Sequence, residues 1–396
     1  MELFWFMARL LAVAAGFTVL HAYLWWRLVR DTTAPGSRLR PVGALALAVL
    51  AAVGVAARFA VPSSLPLWAQ ALIGWPGLVW TGVLVYLLGL LVLAEPLRLW
   101  LLRRRPPEPE CDTSAPSGPT RRQVVSRAIG VGAALAATAT AGHGLTEGHR
   151  TPRLKQVSVP LARLGREFDG YRIAVVGDTH FSALRGAGFC ERVVDQVNRA
   201  RPDLIAFVGD LASGEADRLR EATEPLAHLT APDGAYFVAG NAEHYVGADE
   251  WYARVEELGM IALPNTRVEL PGFDLAGIND LIVEQRSFPG ETGPDFAAAL
   301  GDRDPDRASI LMAHQPRAVE RAVDWGVDLQ LSGHTHGGQM WPVHFATRIR
   351  DGRIGGLSRY GDTWLYVTNG AGTNGPPLRV GAPSDITVMT LRSQRS

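Results

Sequence analysis

Thiol chemistry is nearly absent from these 396 residues. Only two cysteines occur, Cys111 and Cys190, and they are far apart with no metal-ligand spacing, which excludes a thiolate metal site and a disulfide framework. Lysine is scarcer still. Lys155 is the only one among 39 basic residues, and 39 acidic residues balance them. With no net charge and no basic stripe, nucleic acid is not an expected partner. No internal repeat is evident. Asp, Glu and Lys are also missing from the interior of the three longest apolar runs. An ion pathway normally carries such a residue, so a transporter or channel role is not expected.

Long apolar runs are what the first third does have. Residues 3–26 hold one formal charge, Arg9, with His21 near the end. Residues 42–60 hold Arg58 close to their end, and residues 73–94 hold Trp75, Trp80 and Tyr86 before Glu95 and Pro96 close the run. A bilayer crossing needs ~20 apolar residues. A fourth, weaker run of Ala, Gly, Val and Thr covers 128–141 and can extend to Leu145, with His143 near its end.

The charges between the runs set an orientation. Arg27, Arg30, Arg38 and Arg40 lie between the first and second, and Arg98, Arg103, Arg104, Arg105, Arg121, Arg122 and Arg127 between the third and fourth. Basic loops stay in the cytoplasm. The consistent solution puts the N-terminus outside, both basic loops inside, and everything after the fourth run on the extracytoplasmic side. A second reading makes the fourth run a buried helix of a soluble domain, which then stays in the cytoplasm. Thr120-Arg121-Arg122-Gln123-Val124-Val125 resembles an internal twin-arginine export signal, or is an ordinary basic flank. The expected organisation is multi-pass in the cell membrane. An all-α transmembrane domain of three spans covers 1–105, and a Pro/Glu-rich cytoplasmic loop covers 106–126. A fourth span or signal-anchor covers 127–150, and a soluble α/β domain covers 151–396.

In that last part, short apolar runs alternate with helical patterns. Strands are predicted at 173–176, 204–208, 235–239, 275–278, 309–312, 327–330, 364–367 and 385–389. Five of them end in polar residues: Gly177-Asp178-Thr179-His180, Gly209-Asp210, Gly240-Asn241-Ala242-Glu243-His244, Ala313-His314, and the loop Gly333-His334-Thr335-His336-Gly337-Gly338-Gln339. Open α/β sheets place their sites at the carboxyl ends of strands. Taken singly, each residue has a dull explanation, such as a helix cap or a satisfied buried histidine. Five such explanations at five strand ends are hard to sustain together.

This ordered set resembles the signature of the calcineurin-like metallophosphoesterases, over roughly residues 172–391. The Gly-His-Thr-His-Gly-Gly-Gln loop and the apolar N-terminal runs look most like a membrane-associated branch of that family. The resemblance implies a two-sheet sandwich flanked by helices. It implies that Asp178, His180 and His336 hold one divalent metal ion, that Asn241, His314 and His334 hold another, and that Asp210 bridges them. Carboxylate, carboxamide and imidazole donors without thiolate suit Mn, Fe, Zn or Mg. Two cations ~3.5–4 Å apart activate water for in-line attack on phosphorus. The expected activity is hydrolysis of a phosphate ester, monoester or diester. The membrane tether points to a lipid-linked substrate.

The family pattern has a histidine after the asparagine, where this chain has Ala242. That histidine is thought to protonate the leaving group. General acid catalysis is worth ~10²–10⁴-fold, so the departure matters. His244, two residues on, is the expected substitute if the loop bends suitably. Otherwise His244 merely packs, the leaving group needs little protonation, or the domain is a metal-binding sensor without catalysis. Glu243, Gln339, Asn279, Asp280, Asn369 and Asn374 are weaker candidates for support or rim positions, and Arg379 for an anion contact.

Overall fold

The structure, a computed structural model, describes residues 2–103, 119–286 and 288–395. The Pro/Glu-rich loop expected over 106–126 lies outside the described residues as far as residue 118, as do Cys111, Arg104 and Arg105. The chain divides into two compact units, Met1–Leu145 and Thr146–Ser396.

The apolar runs of the first unit form helices, the arrangement that satisfies every backbone polar group within one segment. Helix α1 (Glu2–Leu24) runs on into a π-helical turn, Trp25–Arg30. It is followed by α2 (Leu39–Ala60), α3 (Leu67–Leu93), the short α4 (Glu95–Arg103) and α5 (Arg121–His149). Four stretches, Phe4–Arg30, Leu39–Ala60, Leu67–Arg103 and Arg121–His149, are long and apolar enough to cross a membrane. Small residues let α2 and α3 approach. A side chain added at Gly77 would sit 2.4 Å from the Ala57 methyl and 2.5 Å from the Val53 carbonyl, the close packing that helices use where lipid surrounds them. Charges gather at the helix ends. Arg27 pairs with Asp31 at 2.6 Å and with Glu95 at 2.7 Å, Arg98 pairs with Glu95 at 2.6 Å, and Arg122 of the twin-arginine pair reaches Asp31 at 2.7 Å. Buried Arg27 and Asp31 are thus compensated, as buried charges must be.

The second unit holds twelve strands among its described residues: β1 (Arg153–Leu161), β2 (Arg172–Val176), β3 (Leu204–Val208), β4 (Ala235–Val238), β5 (Ile261–Ala262), β6 (Thr266–Glu269), β7 (Phe273–Gly277), β8 (Ala308–Met312), β9 (Leu329–Ser332), β10 (Gly356–Tyr360), β11 (Thr363–Val367) and β12 (Asp385–Ser393). They form two six-stranded sheets, ordered β1-β12-β2-β3-β4-β5 and β10-β11-β9-β8-β7-β6. Alternate side chains of each sheet meet in one core: Ile173, Val175, Leu204, Ala206, Val208 and Val238 from the first, Leu275, Ile310, Met312, Leu329, Leu331 and Tyr366 from the second. The period of two explains why their neighbours serve the outer faces. Leu311 and Ala276, for example, pack with Phe296, Ala299 and Ala322. This is the mixed α/β two-sheet fold, flanked by helices, that the sequence resemblance implies.

Strands β2, β3 and β4 are parallel neighbours, as are β7, β8, β9 and β11. Parallel pairing in register brings their carboxyl ends to one edge of each sheet. Val176 lies opposite Phe207, and Val208 opposite Val238, so the chain leaves β2, β3 and β4 side by side.

Candidate metal centre

Each candidate ligand sits two to four residues past a strand: Asp178 and His180 after β2, Asp210 after β3, Asn241 after β4, His314 after β8, and His334 and His336 after β9. The turns that aim them inward are tight. Asp178, His180, Asp210, His334 and His336 all have positive φ, between 47° and 73°. Left-handed backbone is uncommon outside glycine, and concentrates where surrounding structure over-determines it at functional sites. Glycines make room beside them. A side chain added at Gly240 would come within 2.4 Å of Asp210 Oδ1, and one at Gly333 within 2.6 Å of Asp178 Oδ2.

The seven side chains converge. The ligand atoms of Asp178, His180 and His336 lie within 4.8 Å of one another, and so do those of Asp178, Asp210 and His314. His180 Nε2 and His336 Nε2 are 3.0 Å apart, and His336 Nε2 is 3.5 Å from Asp178 Oδ1. His334 Nδ1 is 2.8 Å from Asn241 Oδ1 and 3.3 Å from His314 Nε2, which is 3.2 Å from the same Asn241 oxygen. Asp210 faces both groups, with Oδ2 3.5 Å from His180 Nε2 and Oδ1 3.2 Å from His314 Nε2.

The hydrogen-bond chemistry of this cluster fits a cation. His314 Nδ1 lies 2.8 Å from the Val208 carbonyl, so it carries a hydrogen. Its Nε2 then aims a lone pair at Asn241 Oδ1 and Asp210 Oδ1, which are also acceptors. Only a proton or a metal ion reconciles such a convergence. Pinning the far nitrogen of a ligating imidazole on a carbonyl or hydroxyl is the usual support in metal sites. His180 repeats the pattern, with Nδ1 2.8 Å from Ser213 Oγ.

Electrostatics describe the same competition. Burial opposes a charge on His314, but the Asp210 carboxylate prevails and holds the imidazole well above its ordinary value. Asp210 is held correspondingly low by His314, against the effect of its own burial. Burial pushes Asp178 up to about 7 and pulls His180 and His334 down to about 4. It also drives His336 well below its ordinary value. Three imidazoles are therefore neutral and ready to ligate near pH 7, while His314 holds a proton, and Asp178 holds one in about half of the molecules, that a cation would displace.

Supporting residues that sequence reasoning did not single out, or gave only a vague role, surround the cluster. Glu243 is fully buried, and its carboxylate accepts the backbone N–H of Asp210 at 3.0 Å, Ala212 at 3.0 Å and Gly240 at 2.7 Å. It thereby ties the exits of β3 and β4 together. Asp178 accepts the His334 backbone N–H on both oxygens, at 2.9 and 3.1 Å. Asp351 Oδ1 stands 3.9 Å from His334 Nε2. Arg379 is buried among backbone acceptors. Its guanidinium donates to the carbonyls of Gly372, Ala382, Asn369, Gly370 and His336. It shapes the loop after β11, and burial pulls it down to about 10. Gln339 likewise bonds backbone, donating to the Asn374 and Pro376 carbonyls at 3.0 Å each.

His244 is held by groups outside the cluster. Its expected role needs a bent loop, but Asn241–Val246 is a helix, and His244 lies three residues, about 4.5 Å, further along its axis. Both ring nitrogens are engaged: Nδ1 with the Glu291 carboxylate, and Nε2 with the Asp280 backbone N–H at 3.4 Å. Ala242 itself approaches the cluster through its backbone, donating its N–H to Asp210 Oδ1 at 2.8 Å.

The chain is similar to known proteins over the part that carries these residues. The calcineurin-like phosphoesterase family matches residues 171–338. A protein of Danio rerio named transmembrane protein with metallophosphoesterase domain is 33% identical over 261 residues, covering 63% of this chain and 60% of that protein. An uncharacterized metallophosphoesterase of Helicobacter pylori (strain J99) is 32% identical over 275 residues, 69% of this chain and 73% of its own length. Another, from Bacillus subtilis (strain 168), is 29% identical and covered over 98% of its length. The chain thus spans 60% of the zebrafish relative and nearly all of the Bacillus one. By these matches the chain belongs to the calcineurin-like metallophosphoesterases.

Proposed function

We propose that the chain is a membrane-anchored phosphoric ester hydrolase that works with two divalent cations. The observation that carries this is the convergence of nitrogen and oxygen lone pairs at the strand ends, with the opposite nitrogens of His180 and His314 pinned by Ser213 and Val208. In this reading Asp178, His180 and His336 would hold one cation, Asn241, His314 and His334 would hold the other, and Asp210, which faces both groups, would serve both. Bound there, the cations supply Lewis-acid activation of water and neutralise phosphoryl charge. The chain's own part is to fix these donors: Glu243 holds the backbone that carries Asp210, and the Arg379 clamp holds the loop behind His336. A sensor that only binds metal is less favoured, because the similar proteins are named as metallophosphoesterases.

Cation uptake should release protons, since His314 and Asp178 must give theirs up. Asp178 is raised to about 7, so apparent Mn²⁺ affinity should rise as pH increases through that value and fall below it. Calorimetric titration in buffers of different ionisation enthalpy measures the release, and turnover of a phosphodiester should appear in step with uptake. Turnover that persists after chelation would overturn the assignment.

His244 is proposed as a positioning residue, held by Glu291 and Asp280. A general acid matters most for a poor leaving group. His244→Ala should therefore slow an alkyl phosphodiester and a nitrophenyl ester by similar factors. A much larger loss on the alkyl ester, on the order of 10²-fold or more, would restore the acid role.

The substrate proposed is a phosphate ester carried by a lipid. Support comes from the four candidate spans and from relatives in Danio rerio and Bos taurus that are named transmembrane proteins. The arginines that flank the spans favour the extracytoplasmic side for residues 151–396, with 1–105 carrying three spans and 127–150 the fourth. Reaction of externally added protease with the second unit in sealed, right-side-out vesicles tests that side.

A further inference from the structure

The segment that follows the two-histidine loop presents large apolar side chains to solvent. Trp341 is 55% exposed, Phe345 58% and Ile349 86%, with Val343 at 44% between them. Phe345 and Ile349 belong to the helix His344–Asp351, where a spacing of four puts them on one face. The opposite face is turned to the protein: His344 lies against Gly338, and buried Asp351 stands 3.9 Å from His334 Nε2. Arg348 and Arg350 flank the apolar row and are exposed.

A monomeric domain rarely leaves Trp, Phe and Ile together in water. Aromatic and aliphatic side chains on one face, with arginines beside them, are the composition of a helix that lies in a membrane interface. Trp favours that depth because one edge of its ring is apolar and the other polar. Arginines suit the anionic lipid headgroups they would meet. The chain also carries its own candidate membrane spans, so a bilayer is always within reach of it.

We propose that Trp341, Val343, Phe345 and Ile349 rest in the interfacial layer of a lipid bilayer, and that the helix His344–Asp351 joins that layer to the metal centre. One face of the helix would touch lipid while the other supports His334, so an ester at headgroup depth would lie beside the ligands. This inference rests on the membrane location of the chain and not on its hydrolytic chemistry, so the two can fail separately.

The test uses the full chain in vesicles containing anionic lipid, with Cys111→Ser and the buried Cys190 left in place. A fluorescent probe is attached at Phe345→Cys or Ile349→Cys, one at a time, and at Asp217→Cys as a control, since that side chain is 95% exposed. Lipids brominated on the upper acyl chain should quench the probes at 345 and 349 and leave the one at 217 unchanged. Aqueous iodide should quench only the control. Iodide quenching at all three positions, with no effect of bromolipid, would overturn the proposal. Protection from both quenchers at 345 and 349 would overturn it as well, because a protein surface, such as a second copy of this chain, would then be what covers the helix.

Discussion

Asp210→Asn is expected to empty the metal centre and lower phosphodiester turnover on the order of 10³-fold or more, the cost of losing several kcal/mol of charge stabilisation. The exchange is nearly isosteric, and Asn tolerates the left-handed backbone that position 210 adopts, with φ of 50°. The Ala242 N–H, now 2.8 Å from Oδ1, can still be accepted by the amide oxygen. What is lost is the negative charge and one of two ligating oxygens, those that face His180 and His314. Without that charge the largest attraction opposing the burial of His314 is gone, and two cations so close together would lose their shared anion. Metal content by mass spectrometry and turnover should fall together. An Asp210→Asn protein that keeps both metals without turnover would instead support a different role for the carboxylate.

Glu243→Ala should be among the most destabilising single changes in the second unit. Three backbone N–H groups, of Asp210, Ala212 and Gly240, end on this one buried carboxylate. Burial and then repulsion from Asp210 push it up to about 8, against the pull of those same N–H groups. Removing it orphans three donors in a dry interior. Each orphan costs ~1–3 kcal/mol, so a loss of about 3 kcal/mol or more is expected. For a unit of this size that is a fall of roughly 6–12 °C in Tm. Glu243→Gln should recover part of it, because the amide oxygen still accepts while the amide nitrogen cannot. A Tm change within about 1 °C for the alanine variant would show that water takes over these donors, and would contradict the view that Glu243 ties the strand exits together.

The eight strands predicted from apolar runs are interior strands of the two sheets. The four that apolar runs do not reveal, β1, β5, β6 and β10, are the four edges. An edge strand lacks a neighbour on one side and mixes polar with apolar residues, as Arg153–Leu161 does with its Lys155. Its existence is decided by the strand it pairs with, far along the chain: β1 aligns with β12, more than two hundred residues away. The candidate ligands are legible because strand ends announce themselves by an apolar run followed by a polar residue. Their supports are not. Ser213 meets His180 across 33 residues, and the Val208 carbonyl meets His314 across 106. No local pattern encodes such pairs. The surroundings of His244 are equally hidden, since Asn241–Val246 is a helix and Glu291 meets His244 across 47 residues. In sequence, Arg379 reads as a cation in search of an anion. Only the folded loop reveals that backbone carbonyls saturate it.

The central claim is that seven side chains from five strand ends hold two cations in distinct sites. Anomalous scattering from crystals of the full chain grown with Mn²⁺ tests it most directly. Two peaks ~3.5–4 Å apart are expected, one among Asp178, His180 and His336 and one among Asn241, His314 and His334. His336→Ala should remove the first and His334→Ala the second, each leaving the other in place. A single peak, or two peaks that vanish together in either variant, would contradict the account.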